Sequence, residues 1–280
     1  MKFSIVLSTH PARFEAVAYK GNFDQNVAKV AAYGYAGVEL AVRDPSLVDH
    51  DSLVESVSKH DMLIPAIGTG QAWGEEHLSF TDPDPKVRAQ AIERIISHIP
   101  LSKKANAVII IGLVRGIIQQ GVLESQAREW MLSSFKTCAE MAAAQGVRIA
   151  FEPLNRYETP LLNTVNEGLV FIDRVGVDNL GLILDTFHMN IEEPSIEESI
   201  KNCGERIFHF HVADSNRWYP GAGHLDFHKI LETLYSTGYS GFVSGEFMAV
   251  PDADTAAQKA IDFLNKVGIE PYNKRQGEET

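Results

Sequence analysis

The chain has 280 residues, 45% hydrophobic and 22% charged, with a formal net charge of −12, which is the make-up of a globular protein with a substantial core. That acidity leaves no basic stripe to neutralise phosphates, so nucleic acid is not an expected partner and small molecules are. The opening Met1–Leu7 carries one basic residue, Lys2, and an apolar run too short for a signal peptide or a membrane span. No membrane partner is expected, and a cytoplasmic location is.

In chain order, short runs of branched and aromatic residues bounded by turn formers predict strands at 3–7, 36–41, 62–67, 106–111, 147–152, 180–185, 206–212 and 241–246. Helical patterns lie between them. Asp24 precedes a run to Ala32, Asp84-Pro85 a run to Ile99, and Asn163-Thr164 a run to Val175. Two more, around 124–145 and 253–267, repeat apolar residues every three or four positions. Cys138 and Cys203 stand apart inside helical patterns, without zinc-type pairing or a disulfide framework. No linker interrupts the alternation, which predicts one domain over 1–268, while the polar, aperiodic 269–280 reads as a frayed tail. A doubly wound sheet usually shows a Gly-rich phosphate turn after its first strand, and here Ser8-Thr9-His10-Pro11 follows. A single closed (β/α)₈ TIM barrel, an α/β fold, is the stronger reading.

The last four strand patterns end on metal-type ligands: Glu152, Asp185, His211 and Glu246. One strand-end carboxylate is more often a cap or an ion-pair partner. Four at the strand ends, where barrels carry their chemistry, imply one metal site on the rim. Three carboxylates and an imidazole suit one divalent ion, Mn²⁺, Mg²⁺ or Co²⁺ at five or six coordination rather than a closed tetrahedral Zn²⁺, with positions open for water or substrate. Such an ion polarises a carbonyl while a neighbouring C–H loses its proton. Glu152 and Glu246 are the carboxylates placed to act as base and acid.

Other residues cluster around these ends. His188, three positions after Asp185, reads as a substrate contact, a second ligand or a helix-start residue, and His209 shares the strand face of His211. Glu158 and Arg217 lie in loops that reach over the rim. Trp218 offers an apolar wall, and Gly221-Ala222-Gly223-His224 reads as a flexible part of the same loop. Arg115 follows the fourth strand as a rim guanidinium able to clamp a carboxylate in bidentate fashion.

Together these residues resemble the ketose 3-epimerases of the xylose-isomerase-like TIM barrels. The resemblance implies that Glu152, Asp185, His211 and Glu246 bind Mn²⁺ or a similar ion and that the two glutamates exchange a proton at C3. It also implies substrate contacts at Glu158, His188 and Arg217, and a homodimer or homotetramer. Longer stretches, among them 67–72, 110–116, Glu152-Pro153-Leu154-Asn155-Arg156-Tyr157-Glu158-Thr159, 185–193 and 209–218, resemble the epimerases of inositol catabolism that act on 5-keto-L-gluconate and D-tagaturonate. That narrower likeness implies a keto-sugar acid as substrate, with Arg115 as a carboxylate partner. An aldose–ketose or uronate isomerase uses the same metal and bases in another substrate register, and a non-catalytic sugar-binding barrel is a third reading. Endonuclease IV-like activity needs extra histidines after strands two to four, where this chain has Gly68-Thr69-Gly70 and Gly112, and it is not expected.

Overall fold

Nine parallel strands form one sheet in the computed structural model, which describes residues 1–268; the expected frayed tail lies outside the described residues. They are β1 (Lys2–Ser8), β2 (Tyr19–Lys20), β3 (Gly37–Ala41), β4 (Ala66–Gly68), β5 (Val108–Ile111), β6 (Ile149–Phe151), β7 (Leu180–Asp185), β8 (Ile207–Val212) and β9 (Phe242–Gly245). The order is β2-β1-β3-β4-β5-β6-β7-β8-β9, and a β1–β9 pairing closes eight of them into a barrel. β2 is a two-residue addition beside Leu7 and Ser8 that the sequence pattern did not announce. All eight expected strands are present. β4 starts later than expected because Pro65 has no N–H to give a ladder, and Leu63 makes only an isolated bridge to Gly37.

Helices alternate with the barrel strands. The five expected ones are Phe23–Tyr33, Pro85–Ser97, Glu124–Ala143, Val165–Val175 and Ala253–Val267. Thr164 and Glu167 form a reciprocal capping box at the fourth, and Asp84 accepts from the Lys86 N–H with Pro85 in the first turn of the second. Asp24 lies in the first turn rather than at the cap, which is Asn22. The run toward Ile99 breaks at His98, since Pro100 is tolerated only in the first turn of a new helix, Ile99–Ala105. Five shorter helices were not anticipated, including Gln71–Glu76 and Thr186–Glu192. Among the described residues no helix is long and apolar enough to cross a membrane. Cys138 and Cys203 are buried in helices, and burial pushes both thiols up to about 12.

Strand alternation sorts the side chains into two layers. Outward-facing Leu7, Leu40, Ile67, Ile111, Phe151, Leu184 and Phe210 join the helices in the main core. Phe135 meets Phe80, Phe151 and Phe171 edge-on with ring centroids 5.1–5.4 Å apart, pinning the end of β6 to the helical layer. The lumen carries a separate apolar plug of Ala66, Val108, Ile110, Ala150 and Ile183. Two residues beyond Ile110, Ala150 and Ile183 on the same faces come Gly112, Glu152 and Asp185, so the plug is the floor under the polar rim. β8 reaches that rim through a bulge. Leu182 pairs with Ile207 and Ile183 with His209, so Phe208 is the extra residue. Without that insertion Phe208 and Phe210 would take the inner positions that His209 and His211 occupy.

Candidate active site

The ends of β6, β7, β8 and β9 bring Glu152, Asp185, His211 and Glu246 together. Each offers one ligand atom within 4.8 Å of the others, and all but the half-buried Glu246 are buried. His211 Nδ1 stands 3.9 Å from Glu152 Oε1, 3.8 Å from Asp185 Oδ2 and 3.9 Å from Glu246 Oε2, too far for hydrogen bonds. Glu152 Oε1, Asp185 Oδ2 and His211 Nδ1 are buried without a hydrogen-bond partner. Unpaired buried polar atoms are costly, and three aimed at one point fit a divalent cation with mixed oxygen and nitrogen donors.

The electrostatics agree. Burial holds the Glu152 carboxyl well above its usual range, with Glu246 adding to the effect, and pushes Glu246 up to about 7 against the pull of His211 and Arg217. Asp185 is raised by burial too. Burial opposes a charge on His211, but Glu39 and the surrounding carboxylates outweigh it and raise its pKa well above normal. A cluster that crowds three carboxylates this way relaxes when a cation neutralises them.

Glu39 was missed by the sequence reading. On β3 it faces the lumen and is 1% exposed, and its carboxylate lies 2.8 Å from His209 Nε2 and 2.9 Å from His211 Nε2. The available signal was a charge inside the otherwise apolar strand Gly37–Ala41. His209 thus lines the interior beside His211, on the face its spacing implied.

His188 opens the helix after β7, whose N-cap is Asp185 itself, accepting from the Phe187 N–H. Its Nδ1 receives the Asn155 backbone N–H at 3.3 Å and the Asn155 side-chain amide at 2.7 Å. Two donors on Nδ1 place the proton on Nε2, which has no hydrogen-bond partner and stands 3.9 Å from Glu152 Oε1. Burial holds the ring neutral, its pKa well below normal. Arg217 donates to Glu158 at 2.8 Å and lies 3.7 Å from Glu246, with its guanidinium between the rings of Phe14 and Phe187. Its backbone is left-handed, φ 61°, a conformation imposed by Asp214. The buried Asp214 carboxylate accepts from Ser215, Gly221 and Leu225 N–H groups, and its carbonyl accepts from Arg217. The segment Gly221–His224 is therefore tied down rather than a free flexible stretch, and Gly223 is there because a β-carbon would collide with the Asp214 carboxylate.

Two expected rim residues lie elsewhere. Arg115 ends a 3₁₀ turn that carries it inward. It is 0% exposed, stacks on Phe151 at 4.7 Å and donates to the Leu162 carbonyl, and it does not line the cavity. Burial drops its pKa to about 9, with Glu152 and Glu158 opposing. Trp218 does not line the cavity either; the apolar wall is Phe14, Val17, Leu113 and Leu154. The cavity also presents Glu152, Glu158, His188, His211, Arg217 and Glu246, and polar groups converging beside an apolar wall suit a small polar ligand.

A closed parallel barrel with a rim cluster of this kind defines a class, and comparison with known proteins agrees. Residues 27–267 match the family model described as xylose isomerase-like TIM barrel. The chain is 31% identical over 263 residues to the L-ribulose 3-epimerase of Mesorhizobium japonicum, covering 91% of this chain and 86% of the relative. It is 31% identical over 234 residues to the D-psicose 3-epimerase of Ruminiclostridium cellulolyticum, covering 80% and 78%. A crystal structure of D-psicose 3-epimerase with D-tagatose from Clostridium cellulolyticum superposes with a TM-score of 0.82 at 26% identity, covering 95% of this chain and 99% of that one. The protein belongs to the ketose 3-epimerase family of xylose isomerase-like TIM barrels. It is accordingly an enzyme of the isomerase class.

Proposed function

We propose that the protein is a divalent-metal-dependent keto-sugar 3-epimerase. The observation that carries this reading is the convergence of Glu152, Asp185, His211 and Glu246, two of them candidate proton carriers, on one point at the edge of a cavity. A bound divalent cation would polarise the ketone and offset the negative charge that develops on its oxygen. Glu152 takes the proton from the carbon beside the ketone, and Glu246 returns one to the opposite face; for the other epimer the two exchange roles. His188 donates its Nε2 proton to a substrate oxygen, in the tautomer that Asn155 holds. The Glu158–Arg217 pair orients hydroxyl groups, and Phe14, Val17 and Leu113 keep water from the reacting face.

The narrower substrate is a keto-sugar acid, the 5-keto-L-gluconate and D-tagaturonate pair, and what supports it is the resemblance of the stretches around Glu152, Asp185 and His211 to epimerases that act on that pair. A neutral ketose is the second reading. Arg217 is the one Lys or Arg among the described residues lining the cavity, and it already serves Glu158 and Glu246. Mn²⁺-loaded protein incubated with 5-keto-L-gluconate, tagaturonate, fructuronate, psicose and tagatose, followed by NMR, separates these. Turnover of the acids supports the first, turnover of psicose or tagatose alone the second. A product whose carbonyl has moved makes the protein an isomerase of the aldose–ketose type, and saturable binding without turnover makes it a sugar-binding barrel.

A further inference from the structure

We propose that Glu39 is the positioning residue that assigns the metal-facing nitrogen of His211, with His209 as its second anchor. Its effect on metal rests on the reading above; the tautomer it imposes does not. Glu39 stands on β3 and His211 on β8, which are not neighbours in the barrel, so the carboxylate reaches across the lumen. Both of its oxygens lie within 3.0 Å of His211 Nε2, and Oε2 is also 2.8 Å from His209 Nε2. An ionised carboxylate only accepts hydrogen bonds, so each Nε2 must carry the proton. The Nδ1 of His211 is then the nitrogen whose lone pair is left for an ion, and it is the atom that faces Glu152, Asp185 and Glu246.

The local sequence is built around this strut. The bulge at Phe208 turns both histidines to the inner face, where one carboxylate serves them together. A single imidazole would leave part of a fully buried charge without a donor, and His209 supplies the second. Its imidazole lies deeper in the lumen than that of His211 and outside the rim cluster, so its part is to hold Glu39 in place. Carboxylates that grip the far nitrogen of a ligating histidine fix its ring and raise its basicity, and their loss weakens metal binding by about 10–100-fold.

The test reads tautomer and affinity separately. In metal-free wild-type protein, at a pH alkaline enough to leave both rings neutral, long-range ¹H–¹⁵N NMR is expected to show His209 and His211 with their single proton on Nε2. A neutral His211 with its proton on Nδ1 would overturn the proposal. Glu39→Gln puts an amide N–H against one imidazole and forces a tautomer change. Its Mn²⁺ dissociation constant by calorimetry is expected to rise about 10–100-fold, and Glu39→Asp, which keeps the charge but shortens the reach, to fall between. A Glu39→Gln protein that melts earlier yet binds Mn²⁺ as tightly as wild type would reduce Glu39 to a structural strut and sink the inference. Should Glu39→Gln not fold, Glu39→Asp and the wild-type spectrum decide. Wild-type protein that binds no Mn²⁺ removes the metal reading, while the spectrum still judges the tautomer.

Discussion

Gly112 lies directly under the Glu152 carboxylate: a β-carbon at Gly112 would stand 2.7 Å from Glu152 Oε2. The end of β5 is thus shaped to let the Glu152 carboxylate lie flat against its backbone. Gly112→Ala is expected to push the carboxylate out of place and lower kcat/KM by about 100-fold, the scale of a 1 Å misplacement, with an unchanged fold by circular dichroism. Activity within a few-fold of wild type would show that the close approach does not set the position of Glu152.

Two-base inversion makes a sharper demand. Glu152→Gln and Glu246→Gln keep shape and remove the titratable proton, so each is expected to lower kcat by about 10²–10⁴-fold in protein loaded to saturation with Mn²⁺. Either variant retaining near wild-type turnover would remove that residue from the proton path.

The raised Glu246 carboxyl also sets a pH dependence. Burial puts its folded pKa at about 7, above that of an unfolded glutamate. The protonated form stabilises the fold, and that contribution is complete below the unfolded value near 4.3 and lost as pH rises through about 7. In metal-free protein the Tm advantage of Glu246→Gln over wild type is therefore expected to widen between about pH 5 and pH 8. Because the ion needs the ionised carboxylate, Mn²⁺ affinity of the wild type should climb over the same window. A Tm difference that is flat with pH would contradict the buried-carboxyl account.

Arg115 invites a different experiment, because its guanidinium is fully buried and has one carbonyl as its hydrogen-bond partner. A buried charge with so few hydrogen-bond partners is costly, and a packed apolar side chain of similar length removes that cost. Arg115→Met is expected to raise the Tm, and to change KM for sugar acids and neutral ketoses by the same factor. A selective rise for the acids would put the residue back in contact with substrate.

The barrel was legible because each strand is a local pattern of apolar residues, and the rim residues Glu152, Asp185, His211 and Glu246 because each follows such a pattern directly. Closure of the fold then does the rest of the gathering. What could not be read depends on contacts across the molecule. Glu39 matters through a partner 172 residues away, and the inward face of His209 and His211 depends on a one-residue bulge. The direction of Arg115 is set by a turn rather than by its place after β5. Nothing local in the sequence marks Asp214, yet its carboxylate shapes the turn that presents Arg217.

The most direct test of the central claim is a single incubation of Mn²⁺-loaded protein with a substrate keto-sugar in D₂O, read by NMR. The account requires the 3-epimer to appear with deuterium on C3 and no label at C1 or C2. Epimer formed without solvent deuterium, or label entering C1 or C2 as the carbonyl moves, would contradict it.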